Sequence, residues 1–174
     1  MTSSPAAAAC PVGRERALTG GEIAIARTVF GDAINYETVR LRRRKWFPFQ
    51  PRRVTMAPNG HIHFHPRGSA YCDDFSSESL ARQGLLIHEL THVWQVQQRG
   101  SWYLVLNRHP FCRYSYSLKP GQPLTAYGIE QQAMIVQHAF LLRNNRVVQG
   151  VADASAYRFL VNFRGATKQL SSEI

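Results

Sequence analysis

The feature that most constrains this chain is a pair of histidines, His88 and His92, four residues apart, with Glu89 directly after the first. Apolar residues recur around the pair at helical spacing, and three of them immediately precede it. Residues four apart lie on one face of a helix, so both imidazoles can reach one ion at about 2 Å. Burying these polar groups on an apolar helix is costly without a metal or equivalent partners. We therefore predict a long helix that carries a metal site.

The third metal ligand has to come from another part of the chain. A catalytic zinc ion takes three protein ligands and keeps a fourth position for water, which Glu89 can reach without being a ligand itself. We expect Glu130 to complete the site with His88 and His92. It is the only acidic residue between Glu89 and Asp153, and it lies near the start of a second predicted helix.

Other interpretations of the candidate ligands stay open. Glu130 can be a favourable charge in the first turn of its helix, and His138 or His109 can replace it as a ligand. Three more histidines alternate along residues 61–65, where a strand is predicted. Strand spacing spreads their rings too far apart to share one ion easily, so we expect a partly solvated strand face. These histidines are His61, His63 and His65.

The remaining pattern predicts an α+β fold in one domain. Residues 1–17 are expected to be a flexible tail and residues 18–174 a single domain, because the chain is too short for two ordinary cores. An Asn-Gly pair at 59–60 separates two β-prone runs and predicts a hairpin in a small sheet. Helices are predicted from Thr19 to Gly31, from about 78 to 98 and from about 126 to 143, with a long loop at 101–125 and a strand at 157–163.

Charge and apolar runs limit the partners and the location. The net charge is +10, and a basic run extends from Arg40 to Arg53. Such a run can contact nucleic acid, an acidic protein or an anionic surface, but a solvated strand face explains it equally well. No apolar run is long enough to span a membrane, and the N-terminus lacks a secretory signal. We expect a cytoplasmic protein, or one exported by a system that needs no signal peptide.

With these residues in place, the sequence resembles the gluzincins, metallopeptidases that combine the His-Glu-x-x-His motif with a downstream glutamate. It is more similar to a compact zincin-like family found as short bacterial vgr-related or Rhs-associated proteins and as a core domain in cargo of contractile injection systems. The matching segments span most of residues 18–143. They are residues 18–31, 54–65, 88–95 and 127–133.

This resemblance implies a minimal zincin-like fold, with a small mixed or antiparallel sheet before the motif helix and a second ligand-bearing helix after it. It implies Zn²⁺ bound by His88, His92 and Glu130, and peptide hydrolysis by a zinc-activated water with Glu89 as general base and acid. The sequence departs from larger gluzincins at Met134, where an acid is usual one turn after the glutamate ligand.

Several residues are candidates for the group that stabilises the transition state. We take Tyr127 as the catalytic candidate, with Tyr116 and His138 as alternatives. The expected partners are a peptide or protein substrate and a secretion-system component or immunity protein. Alternative functions are a catalytically silent zincin used as an assembly module of a secretion apparatus, and a protease that acts on DNA-bound proteins through the basic run.

Overall fold

The computed structural model describes residues 9–107, 113–151 and 154–163. Within these ranges the chain forms a small sheet and several helices, which confirms the α+β prediction. The elements, in chain order, are β1 (Glu15–Ala17), α1 (Gly20–Phe30), β2 (Arg40–Arg42), β3 (Ile62–His63), α2 (Leu80–Arg99), α3 (Tyr103–Asn107), α4 (Ile129–Arg143) and α5 (Ala154–Leu160).

The sheet is mixed and has the order β1-β2-β3. Strands β1 and β2 are antiparallel, with Arg16 opposite Leu41, whereas β2 and β3 are parallel, with Leu41 opposite Ile62. The predicted hairpin is reduced to a single antiparallel bridge between Met56 and His63. Pro51, Pro58 and Pro66 flank the two runs and have no backbone N–H to donate, which limits how far the strands extend.

The strand β1 lies inside the segment that was expected to be a flexible tail. Its pairing with β2 and the burial of Cys10, whose backbone N–H donates to Asp73 Oδ1 at 2.9 Å, show that ordered structure begins earlier than predicted. The wider division into a tail and one domain stays a prediction.

Helix α2 is the central element of the core. Its residues from Leu86 to Val96 are all buried, and it packs most extensively against α4. The helix begins after Ser79 and not after Ser76 or Ser77, because Phe75–Ser77 form a separate 3₁₀ turn capped by Asp74. It ends at Gly100, whose positive φ of 94° suits glycine.

The first helix and α4 agree with the sequence patterns, whereas two later segments do not. The capping box of α1, from Thr19 to Glu22, is present, and α1 ends before Gly31 as predicted. The expected loop at 101–125 contains α3. The strand predicted for 157–163 is wrong, because Tyr157 belongs to α5 and packs with Val161 into the core at helical spacing.

The described helices include none that is long and apolar enough to cross a membrane.

Candidate metal centre

Helices α2 and α4 bring the three predicted ligands together. His88 and His92 lie one turn apart on α2, and Glu130 lies in the first turn of α4. Each residue offers one potential ligand atom, and these three atoms all lie within 4.8 Å of one another. All three residues are buried. Among the described residues, this is the one cluster of histidines, cysteines and acids that could hold a metal ion.

The ligand atoms converge on one carboxylate oxygen. Glu130 Oε2 lies 3.4 Å from His88 Nε2 and 3.2 Å from His92 Nε2. The two imidazole rings are nearly perpendicular, at 79°. His92 Nε2 is buried and makes no hydrogen bond of good geometry. A buried nitrogen in this state is costly unless an ion binds it, so the donor set fits a metal.

Two glutamines fix the orientation of the histidine rings. Gln137 Oε1 lies 3.1 Å from His88 Nδ1, and Gln95 Oε1 lies 2.9 Å from His92 Nδ1. An amide oxygen only accepts hydrogen bonds, so each Nδ1 must carry the proton. Each Nε2 therefore keeps its lone pair for a metal ion.

Gln95 also ties the motif helix to the ligand on α4. Its Nε2 donates to the Ile129 carbonyl and to Gln132 Oε1, both at 3.0 Å. Gln132 in turn donates to the Tyr127 carbonyl at 2.7 Å. Because Ile129 directly precedes Glu130, this network sets the position of the third candidate ligand. Sequence reasoning missed these glutamines, although the spacing of Gln95 from His92 puts both on one helix face.

Glu89 is buried and follows His88 on α2. It is not part of the group that could hold the ion, and its catalytic role stays a prediction.

A tyrosine–histidine cluster lines a large cavity next to α4. The Tyr116 hydroxyl lies 2.6 Å from His138 Nδ1 and 2.7 Å from the Tyr157 hydroxyl. These three residues and Met134 help to line a cavity of about 660 Å³. Burial lowers the pKa of His138. Burial, followed by the hydrogen bond that its hydroxyl donates to Tyr157, raises the pKa of Tyr116.

The other predicted site residues have different surroundings. Tyr127 is buried, and its hydroxyl accepts a hydrogen bond from the Lys119 backbone N–H at 2.9 Å. It does not line the cavity that Tyr116 and His138 share. His109, the remaining alternative ligand, lies outside the described residues.

The histidines of residues 61–65 form no metal cluster in the part of the chain that the structure describes. His61 and His65 are partly exposed, as expected of a solvated strand face. The expectation is wrong for His63, which is buried. Its ring packs edge-on against Trp46, with 5.2 Å between the ring centroids. Its neighbour on β2, Arg42, pairs with Glu15 across the sheet at 2.8 Å, so part of the basic run is neutralised.

Comparison with known proteins connects the chain to a bacterial secretion system. No family model matches the sequence. The chain is 49% identical over 138 residues to the type VI secretion system spike protein VgrG2b of Pseudomonas aeruginosa PAO1, an alignment that covers 74% of the chain but 13% of that protein. The fold is similar to the effector domain of P. aeruginosa VgrG2b, with a TM-score of 0.68 and 42% identity, covering 90% of this chain and 86% of that domain.

Proposed function

Because this chain belongs to the family of the VgrG2b effector domain, we propose that it is an effector exported by type VI secretion and that it hydrolyses peptide bonds as a zinc metallopeptidase. The spike protein is much longer than this chain. The proposed effector role therefore rests on the similarity to the VgrG2b effector domain.

The observation that carries the enzymatic proposal is the buried convergence of two imidazole nitrogens on the Glu130 carboxylate. Two histidines and one carboxylate, with a fourth position open, are a donor set of catalytic zinc sites. The Nδ1 hydrogen bonds to Gln95 and Gln137 favour the tautomer that a metal ion requires.

In this proposal His88, His92 and Glu130 hold the zinc ion. When bound, zinc supplies a Lewis acid that polarises the scissile carbonyl and lowers the pKa of a water molecule towards neutrality. The Glu89 carboxylate would be the general base that accepts a proton from the attacking water and the general acid that returns it to the leaving amine. Its position next to a ligand, in a buried environment, suits this transfer.

The developing oxyanion needs a hydrogen-bond donor. The pair formed by Tyr116 and His138 is the better candidate, because it lines the large cavity beside the ligand-bearing helix. Tyr127 remains an alternative. Its hydroxyl oxygen accepts from the Lys119 backbone N–H, but Tyr127 does not line that cavity.

The experiment that tests the metal is elemental analysis of purified protein together with hydrolysis of casein. We expect about one zinc per chain and metal-dependent hydrolysis in the wild type. His92→Ala and Glu130→Ala should lose both. The matched controls His65→Ala and Glu37→Ala remove a partly exposed histidine and an exposed glutamate, and both should keep zinc and activity. A wild-type protein without zinc would contradict the proposal.

The effector role has its own test. Expression of the wild type in a bacterial host, in the cytoplasm or behind an export signal, should reduce growth in at least one compartment. Glu89→Gln, expressed to the same level, should not. Equal growth with both proteins in both compartments would count against a toxic hydrolase and would favour an assembly module.

A further inference from the structure

A second polar cavity, of about 400 Å³, shares no residue with the metal centre. Three of its five lining residues are cations, and none is acidic. The lining residues are Lys45, Arg52, His65, Pro66 and Arg67. Partial desolvation and then the charges of Lys45, Arg52 and Arg67 lower the pKa of His65, so the three positive charges act on the same point. A cavity of this kind favours an anion.

The two walls of this cavity are fixed against each other at Gly68. A Cβ added there would overlap the carbonyl oxygen of Arg52, so glycine allows the turn at 65–68 to lie against the opposite wall. The turn is held by hydrogen bonds from Gly68 N to the His65 carbonyl at 2.9 Å and from Arg67 N to His65 Nδ1 at 3.0 Å.

An exposed aromatic loop lies between two of the cavity's cations. From Lys45 to Arg52 the chain carries Trp46, Phe47 and Phe49, which are 41%, 38% and 87% exposed. The loop is ordered around the buried Gln50, which accepts from Trp46 N at 2.8 Å and donates to the Val54 carbonyl at 2.7 Å. The backbone of the loop is thus ordered, and its aromatic residues lie between Lys45 and Arg52 of the cavity lining.

We propose that this surface docks on an anionic phospholipid bilayer, with a headgroup phosphate in the cavity and the loop of Trp46, Phe47 and Phe49 in the interfacial region. Apolar and aromatic residues flanked by lysine and arginine are typical of interfacial binding. Each cation near an anionic surface adds to the attraction. This inference is independent of the proposed peptidase activity.

A bilayer fits these observations better than a nucleic-acid strand does. Proteins that bind single strands combine a basic groove that follows the backbone with aromatic rings on which successive bases stack. Here the aromatic residues project from one short loop beside one cavity. On the neighbouring strand, Arg42 and Arg44 are both paired with Glu15, which limits the extension of a positive groove along β2.

The test is co-sedimentation of the protein with phosphatidylglycerol–phosphatidylcholine vesicles, compared with vesicles of phosphatidylcholine alone. We expect binding to the anionic vesicles only. The combined change Lys45→Ala, Arg52→Ala and Arg67→Ala should weaken it on the order of a hundredfold, at about fivefold for each cation. Phe49→Ala should weaken it about tenfold through lost apolar burial. Gly68→Ala keeps every charge but separates the walls, and it should also weaken binding.

A matched triple variant removes the same charge elsewhere. Arg27, Arg146 and Arg158 are exposed and do not line the cavity, so their combined change to alanine should alter vesicle binding much less than the cavity variant does. An equal loss in both variants would overturn the proposed site. Absence of vesicle binding in the wild type would also overturn it, whether or not inorganic phosphate binds. Tighter binding of a single-stranded oligonucleotide, lost in the cavity variant, would assign the site to nucleic acid instead.

Discussion

Gln95 Oε1 lies 2.9 Å from Nδ1 of His92, while the nitrogen of the same amide donates to the Ile129 carbonyl on α4. One uncharged side chain therefore orients a candidate ligand and ties the two ligand-bearing helices together. Metal-binding histidines often donate to a carboxylate instead. The structure has amides in this role at both histidines, since Gln137 does the same for His88.

Replacing Gln95 should weaken metal binding without removing a ligand. We expect Gln95→Ala to lower the affinity for zinc by about 10- to 100-fold, as is common when a ligand's supporting hydrogen bond is lost. Competition with a chromogenic chelator measures this directly. Gln98→Ala, an exposed glutamine on the same helix, is the control and should bind zinc like the wild type. Equal affinities for Gln95→Ala and Gln98→Ala would show that the amide does not support the site.

The two tyrosine candidates can be separated by removing one hydroxyl at a time. Tyr116→Phe should lower kcat by about 10²- to 10³-fold with little change in KM, because an oxyanion donor acts mainly in the transition state. Tyr127→Phe should leave kcat nearly unchanged, because Tyr127 does not line the cavity that Tyr116 and His138 share. Steady-state kinetics on a fluorogenic peptide decides between them. A larger loss of kcat in Tyr127→Phe would restore the residue first chosen from the sequence.

Burial of His63 makes the stability of the fold depend on pH. Desolvation and then the charge of Arg42 lower the pKa of His63 from 6.5 to about 4, although a hydrogen bond with the Arg44 backbone acts in the opposite direction. The folded state therefore binds fewer protons than the unfolded state between these values. The stability is complete above pH 6.5 and falls as the pH drops towards 4, by up to about 2 kcal/mol after allowance for solvent screening.

Urea unfolding at several pH values tests the role of His63. His63→Gln should flatten the loss of stability between about pH 6.5 and pH 4 relative to the wild type. His65→Gln, which changes a partly exposed histidine of the same segment, should retain most of the wild-type slope. Identical slopes in His63→Gln and the wild type would mean that other groups cause the acid sensitivity.

The buried ion pair of Arg16 and Glu22 connects β1, α1 and the turn before α2. Glu22 accepts from Arg16 at 2.7 and 2.8 Å and from the backbone N–H groups of Thr19 and Phe75. Glu22→Ala leaves the arginine without its partner and should destabilise the fold by about 3 to 5 kcal/mol. Glu37→Ala, at an exposed site, should change the free energy of unfolding by less than about 0.5 kcal/mol. Urea denaturation measures both, and similar values would contradict this role.

Local signals predicted the parts of the site that lie close together in sequence. The spacing of His88 and His92 fixes a shared helix face, and the scarcity of acids after Glu89 singled out Glu130. The structure brings these three candidate ligands together. The capping box of α1 could likewise be predicted, because Thr19 and Glu22 are only three residues apart.

Contacts between distant segments could not be predicted in the same way. The sequence predicts that Glu22 caps its own helix. Its carboxylate also accepts a hydrogen bond from Phe75 N, which is 53 residues away in the chain. Strand β1 has no β-rich composition and forms because β2 and Arg42 pair with it. The segment from Tyr157 is predicted to be a strand, but a short apolar pattern is compatible with both a strand and a helix. Packing against α4 favours the helix α5.

The most direct test of the central claim compares the wild type with Glu89→Gln, which keeps the size of the side chain but removes its basicity. Both proteins should bind about one zinc with the same affinity, and hydrolysis of a peptide substrate should fall by about 10²- to 10⁴-fold in the variant. Undiminished hydrolysis by Glu89→Gln, or a zinc-loaded wild type that cleaves no peptide or protein, would contradict the account.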